Sequence, residues 1–183
     1  MKPINLFLLC LLYIGFTGCK DDKKNEDIPM ETGISTYYFI RHAEKDRTDS
    51  ENVDPELSQE GLGRAMHWAV ILKDVKFDAI YSTDFRRTSM TAAPTSIKQN
   101  IDVEYYDPKN IDIDQFKRDN LNKTVLVVGH SNTTPEFVNN IIGMDTYTEI
   151  DDNDNGSLFL VQVVNGTATS QKLHFDCNCP KRK

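Results

Sequence analysis

The chain has 183 residues, of which 39% are hydrophobic and 27% charged, a balance that fits one globular domain with a sizeable core. Its formal net charge of -7 and the absence of a long basic run exclude a general nucleic-acid binder, so no nucleic-acid partner is expected. An anionic small substrate is not excluded, because a local basic pocket can operate inside an acidic protein.

The first segment reads as an export signal. One lysine is followed by an apolar run from Leu6 to Ile14 and then by small residues before Cys19. That run is too short to cross a hydrocarbon core of ~30 Å as a helix, and it has the shape of a secretory signal. Phe16-Thr17-Gly18-Cys19 resembles the bacterial lipobox, with Phe16 where leucine is usual. The resemblance implies a lipoprotein signal peptide over 1–18 and a membrane partner reached through a lipid on Cys19. Residues 19–34 are polar, charged and unpatterned, as expected of a flexible tether. Lys20-Asp21-Asp22 resembles a surface-export signal of bacterial lipoproteins, so the expected location is the cell envelope, at the outer membrane, periplasmic or surface-exposed. Cys177 and Cys179 fall in a tail over 177–183. A Cys-x-Cys ring is tight, and a metal would need more ligands than this pair and His174, so no essential role is expected of them.

The remainder alternates strand and helix. Residues 35–40 are rich in β-formers. Residues 57–74 open on Ser58 and carry Ala65, Trp68, Ala69 and Leu72 at helical spacing. A strand is expected over 77–82, then a helix over 84–99 with Asp84 as N-cap and Pro94 kinking or dividing it. A short strand (103–106) and a short helix (112–119) follow. Residues 123–130 form a continuous apolar run, which predicts a central, parallel strand. Residues 133–143 predict a helix with Pro135 in its first turn and Gly143 at its end. Residues 157–175 predict two strands about the Asn165-Gly166 turn. The expected domain, over 35–176, is an α/β protein: a three-layer α/β/α sandwich with a mostly parallel central sheet and a C-terminal β-hairpin.

In such a sheet, ligands bind beyond the carboxyl ends of the strands. Three polar clusters fall at those ends: Arg41-His42, Ser82 to Arg87, and Gly129-His130-Ser131. Arginine forks and helix N-termini suit phosphate oxygens, so an anionic phosphorylated substrate is expected at this edge. A histidine among arginines resists protonation, and a neutral imidazole is a nucleophile.

Arg41-His42-Ala43-Glu44 resembles the Arg-His-Gly signature of the histidine phosphatase superfamily, the phosphoglycerate-mutase-like fold. Residues 54–65 (DPELSQEGLGRA), 81–92 (YSTDFRRTSMTA) and 125–131 (VLVVGHS) are similar to that family's later elements, in the same order. The second of these places the family's second arginine on Arg87. The short phosphohistidine-phosphatase branch is the nearest in kind.

The resemblance implies a metal-independent phosphatase acting on a phosphomonoester or phosphohistidine. His42 would be the nucleophile, and Arg41, Arg87 and His130 would hold the phosphoryl group, with Ser131 beside them. It implies no cofactor, and no metal-ligand spacing is present. Family members often use an acidic residue to protonate the leaving oxygen. Glu104, Asp107, Asp112 and Asp114 lie in the corresponding region, Asp107 is the preferred candidate, and Glu136 is a fallback. Glu44 and Lys45 are expected to be solvated. Two alternatives stand beside this reading: a non-catalytic phosphate-binding lipoprotein, and a phosphoglycerate-mutase-type phosphotransferase, for which the segment between Thr91 and Val125 leaves little room.

Overall fold

The computed structural model describes residues 32–177. The expected signal peptide, Cys19 and Cys179 lie outside the described residues. Among those described, no helix is long and apolar enough to cross a membrane.

The buried strand expected over 123–130 is β4, Thr124–Gly129, and it organises the molecule. Parallel partners flank it: β1 (Ile34–Arg41) on one side and β2 (Ala79–Thr83) on the other. β3 (Val103–Tyr106) continues the parallel set. β5 (Ser157–Val164) runs antiparallel to β1, and β6 (Thr167–His174) closes the sheet as its hairpin partner. The order is β3-β2-β4-β1-β5-β6. The hairpin turns at Asn165 (φ 49°) and Gly166 (φ 81°), two consecutive left-handed residues as a type I′ turn requires.

Alternation along β4 divides the core. Val125 and Val127 pack with Phe116, Phe137, Val138 and Ile141, which come from α3 (Ile113–Asp119) and α4 (Thr133–Ile142). Leu126 and Val128 pack on the other face with Trp68 of α1 (Gln59–Ile71) and Ala92 of α2 (Arg86–Gln99), together with Leu72 and Phe77. Helices cover both faces of the central strands, which is why β4 reads as uninterrupted apolar sequence.

β1 begins at Ile34, and the Gly33 amide donates to Asn165 Oδ1 (3.0 Å). Two local expectations are revised. Asp84 does not cap α2, because the Phe85 amide bonds Thr83 O (2.9 Å) and that tight turn leaves Phe85 in the capping position. The capping oxygen instead comes from Asp54, which accepts from the Arg86 amide at 3.0 Å. Pro94 does not divide the sequence into two helices; α2 runs unbroken to Gln99, held along its buried side by Thr88, Thr91, Ala92 and Thr95. Cys177 is disulfide-bonded, and its partner cysteine lies outside the described residues.

The start of α1 sits directly on the backbone that follows Arg41-His42. Ser58 caps the helix by accepting from the Gly61 amide (3.1 Å), and the Ser58 amide donates to Glu44 O (2.8 Å). A Cβ on Gly61 would lie 2.1 Å from Glu44 O, a contact that only glycine avoids. Gly61→Ala is therefore expected to lose about 1–3 kcal/mol of stability, the usual penalty for forcing atoms into a packed site. Urea unfolding measures this, and an unchanged midpoint would show that the turn yields freely.

Candidate active site

The carboxyl ends of β1, β4 and β2 converge. Arg41 is paired with Gly129 and Ser82 with Val128. The β1–β4 ladder extends one step beyond the strands, because the His42 amide donates to Gly129 O at 2.9 Å. His42 and His130 consequently face each other with ring centroids 5.5 Å apart.

His42 is almost fully buried, and its orientation is fixed by neighbours. Its Nδ1 lies 2.7 Å from Ala43 O. A carbonyl only accepts, so Nδ1 carries the proton and the lone pair belongs to Nε2. The supporting backbone is held too: Ala43 N donates to Thr91 Oγ1 (2.9 Å), and Asn155 Nδ2 donates to His42 O (2.9 Å). Burial, opposed by the Ala43 bond and reinforced by Arg41, His130 and Arg87, lowers the imidazole pKa to about 3.

The His130 tautomer follows from a chain of donors. Thr88 Oγ1 donates to Thr83 O (2.8 Å), and Thr83 Oγ1 donates to Thr88 Oγ1 (3.0 Å). Thr83 Oγ1 is thereby left to accept from His130 Nε2 at 2.9 Å. On the other side Arg87 Nη2, which can only donate, approaches His130 Nδ1 at 3.5 Å. Both contacts call for the same neutral form, protonated on Nε2. Burial first, then Arg87 and Arg41, lowers the His130 pKa to about 4. Both imidazoles are thus neutral at physiological pH.

The arginines are held differently. The Arg41 guanidinium, 2% exposed, is clamped by the loop before β5: Nη1 donates to Asp151 O (2.8 Å), and Nη2 pairs with Asp152 Oδ1 at 2.6 Å. Asp152 also takes Arg47, and these two partners hold its carboxyl below the usual range. Arg87 lies over the Phe85 ring, 4.4 Å from its centroid, and pairs with Asp54 at 3.4 Å. The Nε atoms of Arg41 and Arg87 are buried without a hydrogen-bond partner among the described residues, as are Thr133 Oγ1 and Thr134 Oγ1 at the start of α4. Buried donors left open at one edge are what an absent anion would satisfy. The arrangement can seat a tetrahedral dianion against the Nε2 lone pair of His42.

The structure brings Arg41, His42, Arg87 and His130 together. Two other candidates are placed differently. Asp107 is exposed in the turn after β3, where its carboxylate accepts from the Lys109 amide (2.9 Å) and Asn110 Nδ2 (2.6 Å). These bonds, the Lys109 amide foremost, lower its pKa, which is the reverse of what a proton donor needs. Ser131 donates to Glu149 Oε1 (3.0 Å) and so ties down the segment leading to Ile150. Among the other acids considered, Asp112 caps α3 and Asp114 pairs with Lys117. Glu44 is not solvated: it is largely buried in an ion pair with Arg64 (2.7 Å), which the close seating of α1 brings beside it.

Asp54, Thr83, Thr91, Asp152 and Asn155 support the site without having been foreseen. Asp54 sits inside the DPELSQEGLGRA element, so its position was suggestive. Asp152 and Asn155 belong to a run of Asp and Asn with ordinary turn composition, and only the tertiary fold gives them a partner.

Residues 37–108 match the family described as the histidine phosphatase superfamily (branch 1). His130 lies beyond that segment. No curated protein matches the chain in sequence. Several solved structures share the fold. Phosphoglycerate mutase from Bacillus anthracis is 16% identical, with a TM-score of 0.60 over 79% of this chain and 94% of that one. The alpha-ribazole phosphatase from Shigella flexneri is 14% identical, with a TM-score of 0.62 over 76% and 96%. A protein assigned as the phosphohistidine phosphatase SixA, from Agrobacterium tumefaciens, is 19% identical, with a TM-score of 0.57 over 75% and 97%. At these identities the likeness is one of fold. Residues 37–108 are thus similar to the histidine phosphatase superfamily, and the chain shares the fold of these solved structures.

Proposed function

We propose that the protein is a phosphatase that hydrolyses a phosphomonoester or phosphohistidine through a phosphohistidine on His42. The observation that carries this reading is the locked imidazole: Nδ1 is committed to Ala43 O, which presents Nε2 beside Arg41, Arg87 and His130. In the first step the Nε2 lone pair attacks phosphorus and the bond to the leaving group breaks. The leaving group takes the electron pair and a proton from solvent. In the second step water attacks the same phosphorus, the P–N bond breaks, its electrons return to Nε2, and inorganic phosphate leaves. The cationic and N–H donors hold the equatorial oxygens in both steps, and such stabilisation is usually the largest catalytic contribution. Two of the structural neighbours carry phosphatase names, which supports this class of reaction.

The lipobox-like segment and charged tether support a second element of the reading: a lipoprotein anchored through Cys19 in the bacterial envelope. Globomycin treatment should leave the unprocessed precursor to accumulate. Unchanged processing would refute the anchor.

With an aryl phosphate as substrate, His42→Ala is expected to lower kcat by at least about 10³-fold, as removal of a covalent nucleophile does. Acid quench of the wild type should trap phosphate on residue 42. Equal turnover in both proteins, or label elsewhere, would overturn the assignment.

A stability measurement tests the electrostatics independently. The folded pKa values of His42 and His130 lie below the ordinary 6.5. Between about pH 6.5 and 4 the unfolded chain therefore binds protons that the folded chain refuses, and stability falls as pH falls. His42→Asn keeps a donor for Ala43 O and removes the titration. It should lessen the loss of stability between pH 7 and pH 5 by on the order of 1–2 kcal/mol. Parallel stability curves for the two proteins would contradict a buried neutral imidazole.

A further inference from the structure

The strand order places the two ends of an in-line displacement. Along the carboxyl edge the sequence of strands is β1, β4, β2, β3. His42 follows β1, His130 follows β4, Thr83 ends β2 and Tyr106 ends β3. A phosphoryl group attacked from the His42 side expels its leaving group toward β2 and β3.

A cavity of about 320 Å³ lies there, lined by Thr83, Asp84, Phe85, Tyr105, Tyr106 and Asp107. It shares a wall with the phosphate seat: Thr83 Oγ1 bonds His130 Nε2 at 2.9 Å, and the Phe85 ring stands edge-on to His130 at 5.0 Å. A second polar cleft, which includes Asp152, Asn155 and His174, lies on the β5 side. It is not on the leaving-group path.

The chemistry of the β2–β3 cavity is one-sided. Three aromatic rings and two carboxylates line it, and no lysine or arginine does. Arg87 covers one face of Phe85 from the phosphate side, so its charge is directed to the anion seat. Asp107 accepts only from neutral donors, the Lys109 amide and Asn110 Nδ2, and keeps its negative charge. A second phosphate or a carboxylate on the leaving group would meet two carboxylates here, while Lys109, whose charge acts on Asp107, does not line the cavity. An ammonium group would meet aromatic rings and carboxylates, the residue types that recognise alkylammonium ions.

We propose that this cavity seats the cationic end of an alkylammonium phosphomonoester, a substrate of phosphocholine or phosphoethanolamine chemistry. The inference rests on the phosphatase reading above and narrows it to a class of leaving group.

The test compares kcat/KM of the full-length protein for phosphocholine and for 3,3-dimethylbutyl phosphate, its uncharged isostere. Preference for phosphocholine by about tenfold is expected, corresponding to roughly 1.4 kcal/mol. Phosphoethanolamine should likewise exceed phosphoserine, which differs from it by one carboxylate. Asp84→Asn with Asp107→Asn, and separately Tyr105→Ala, should bring the isostere ratio to within about twofold of unity. Tyr105 is 58% exposed, so its truncation leaves the core intact. A wild-type ratio near one, or a ratio that survives both variants, overturns the proposal while leaving a working phosphatase. Absence of turnover on every ester and on phosphohistidine sinks the phosphatase reading instead. In that case calorimetric affinities for the same isosteric pair decide the pocket, and equal affinities refute it.

Discussion

The site depends on one backbone interaction: the His42 amide bonded to Gly129 O at 2.9 Å, the last rung of the β1–β4 ladder. Parallel pairing fixes Arg41 opposite Gly129, and the extra rung carries the chain one residue further before it turns. If β1 slipped by one residue against β4, every side chain on it would change face. Phe39 would leave the Phe137 side of the core, where the two rings stand 5.1 Å apart, and His42 would no longer meet His130. The apolar pattern that locks the register is therefore also what sets the spacing of the two imidazoles. Core packing and candidate chemistry have a common cause.

The same edge carries an electrostatic cost. A buried guanidinium such as Arg41 loses several kcal/mol of hydration, and removing its partners would leave that loss uncompensated. The loop over 151–155 supplies the compensation: two backbone carbonyls and the Asp152 carboxylate for Arg41, and the Asn155 amide for the backbone of His42. Arg87 is treated similarly by Asp54, which also caps α2. Acidic residues thus stand outside the cationic seat and hold its members in place. A net charge of -7 is compatible with an anion site for this reason. The carboxylates pin the arginines from behind and leave Arg41 Nε and Arg87 Nε open.

Much of this was legible in the sequence, and the parts that were not share a reason. The order of strands and helices, the central position of β4 and the hairpin at Asn165-Gly166 follow from local patterns: apolar runs, helical spacing, and a turn dipeptide that needs two left-handed residues. The convergence of Arg41-His42, Arg87 and His130 follows from strand polarity. The cap of α2 was misread because Asp84 has the right chemistry at the right distance along the chain, whereas the capping oxygen arrives from Asp54, thirty-two positions away. Asp107 shows the same contrast between local chemistry and tertiary placement. Its position after β3 suggested a role in protonation, but the local turn Asp107-Pro108-Lys109-Asn110 claims both of its oxygens. Residues whose partners are remote in sequence have no local signature, and residues with strong local partners offer a misleading one.

These assignments constrain how the proposed reaction can end. With His42 and His130 both neutral at physiological pH, neither stores a proton for the departing group. Asp107, pushed below its ordinary range, is ionised there and cannot do so either. A poor leaving group such as an unactivated alkoxide gains from a proton supplied as the P–O bond breaks. A site without such a donor must rely on solvent, on the phosphoryl group's own proton, or on a leaving group that departs readily. A positive charge on the alcohol lowers the pKa of that alcohol and stabilises the developing alkoxide by its own field. The aromatic and acidic cavity beyond His130 would hold that charge close to the breaking bond. Substrate charge would then supply part of what Asp107 does not, so the depressed carboxylate and the anionic pocket belong to one electrostatic design.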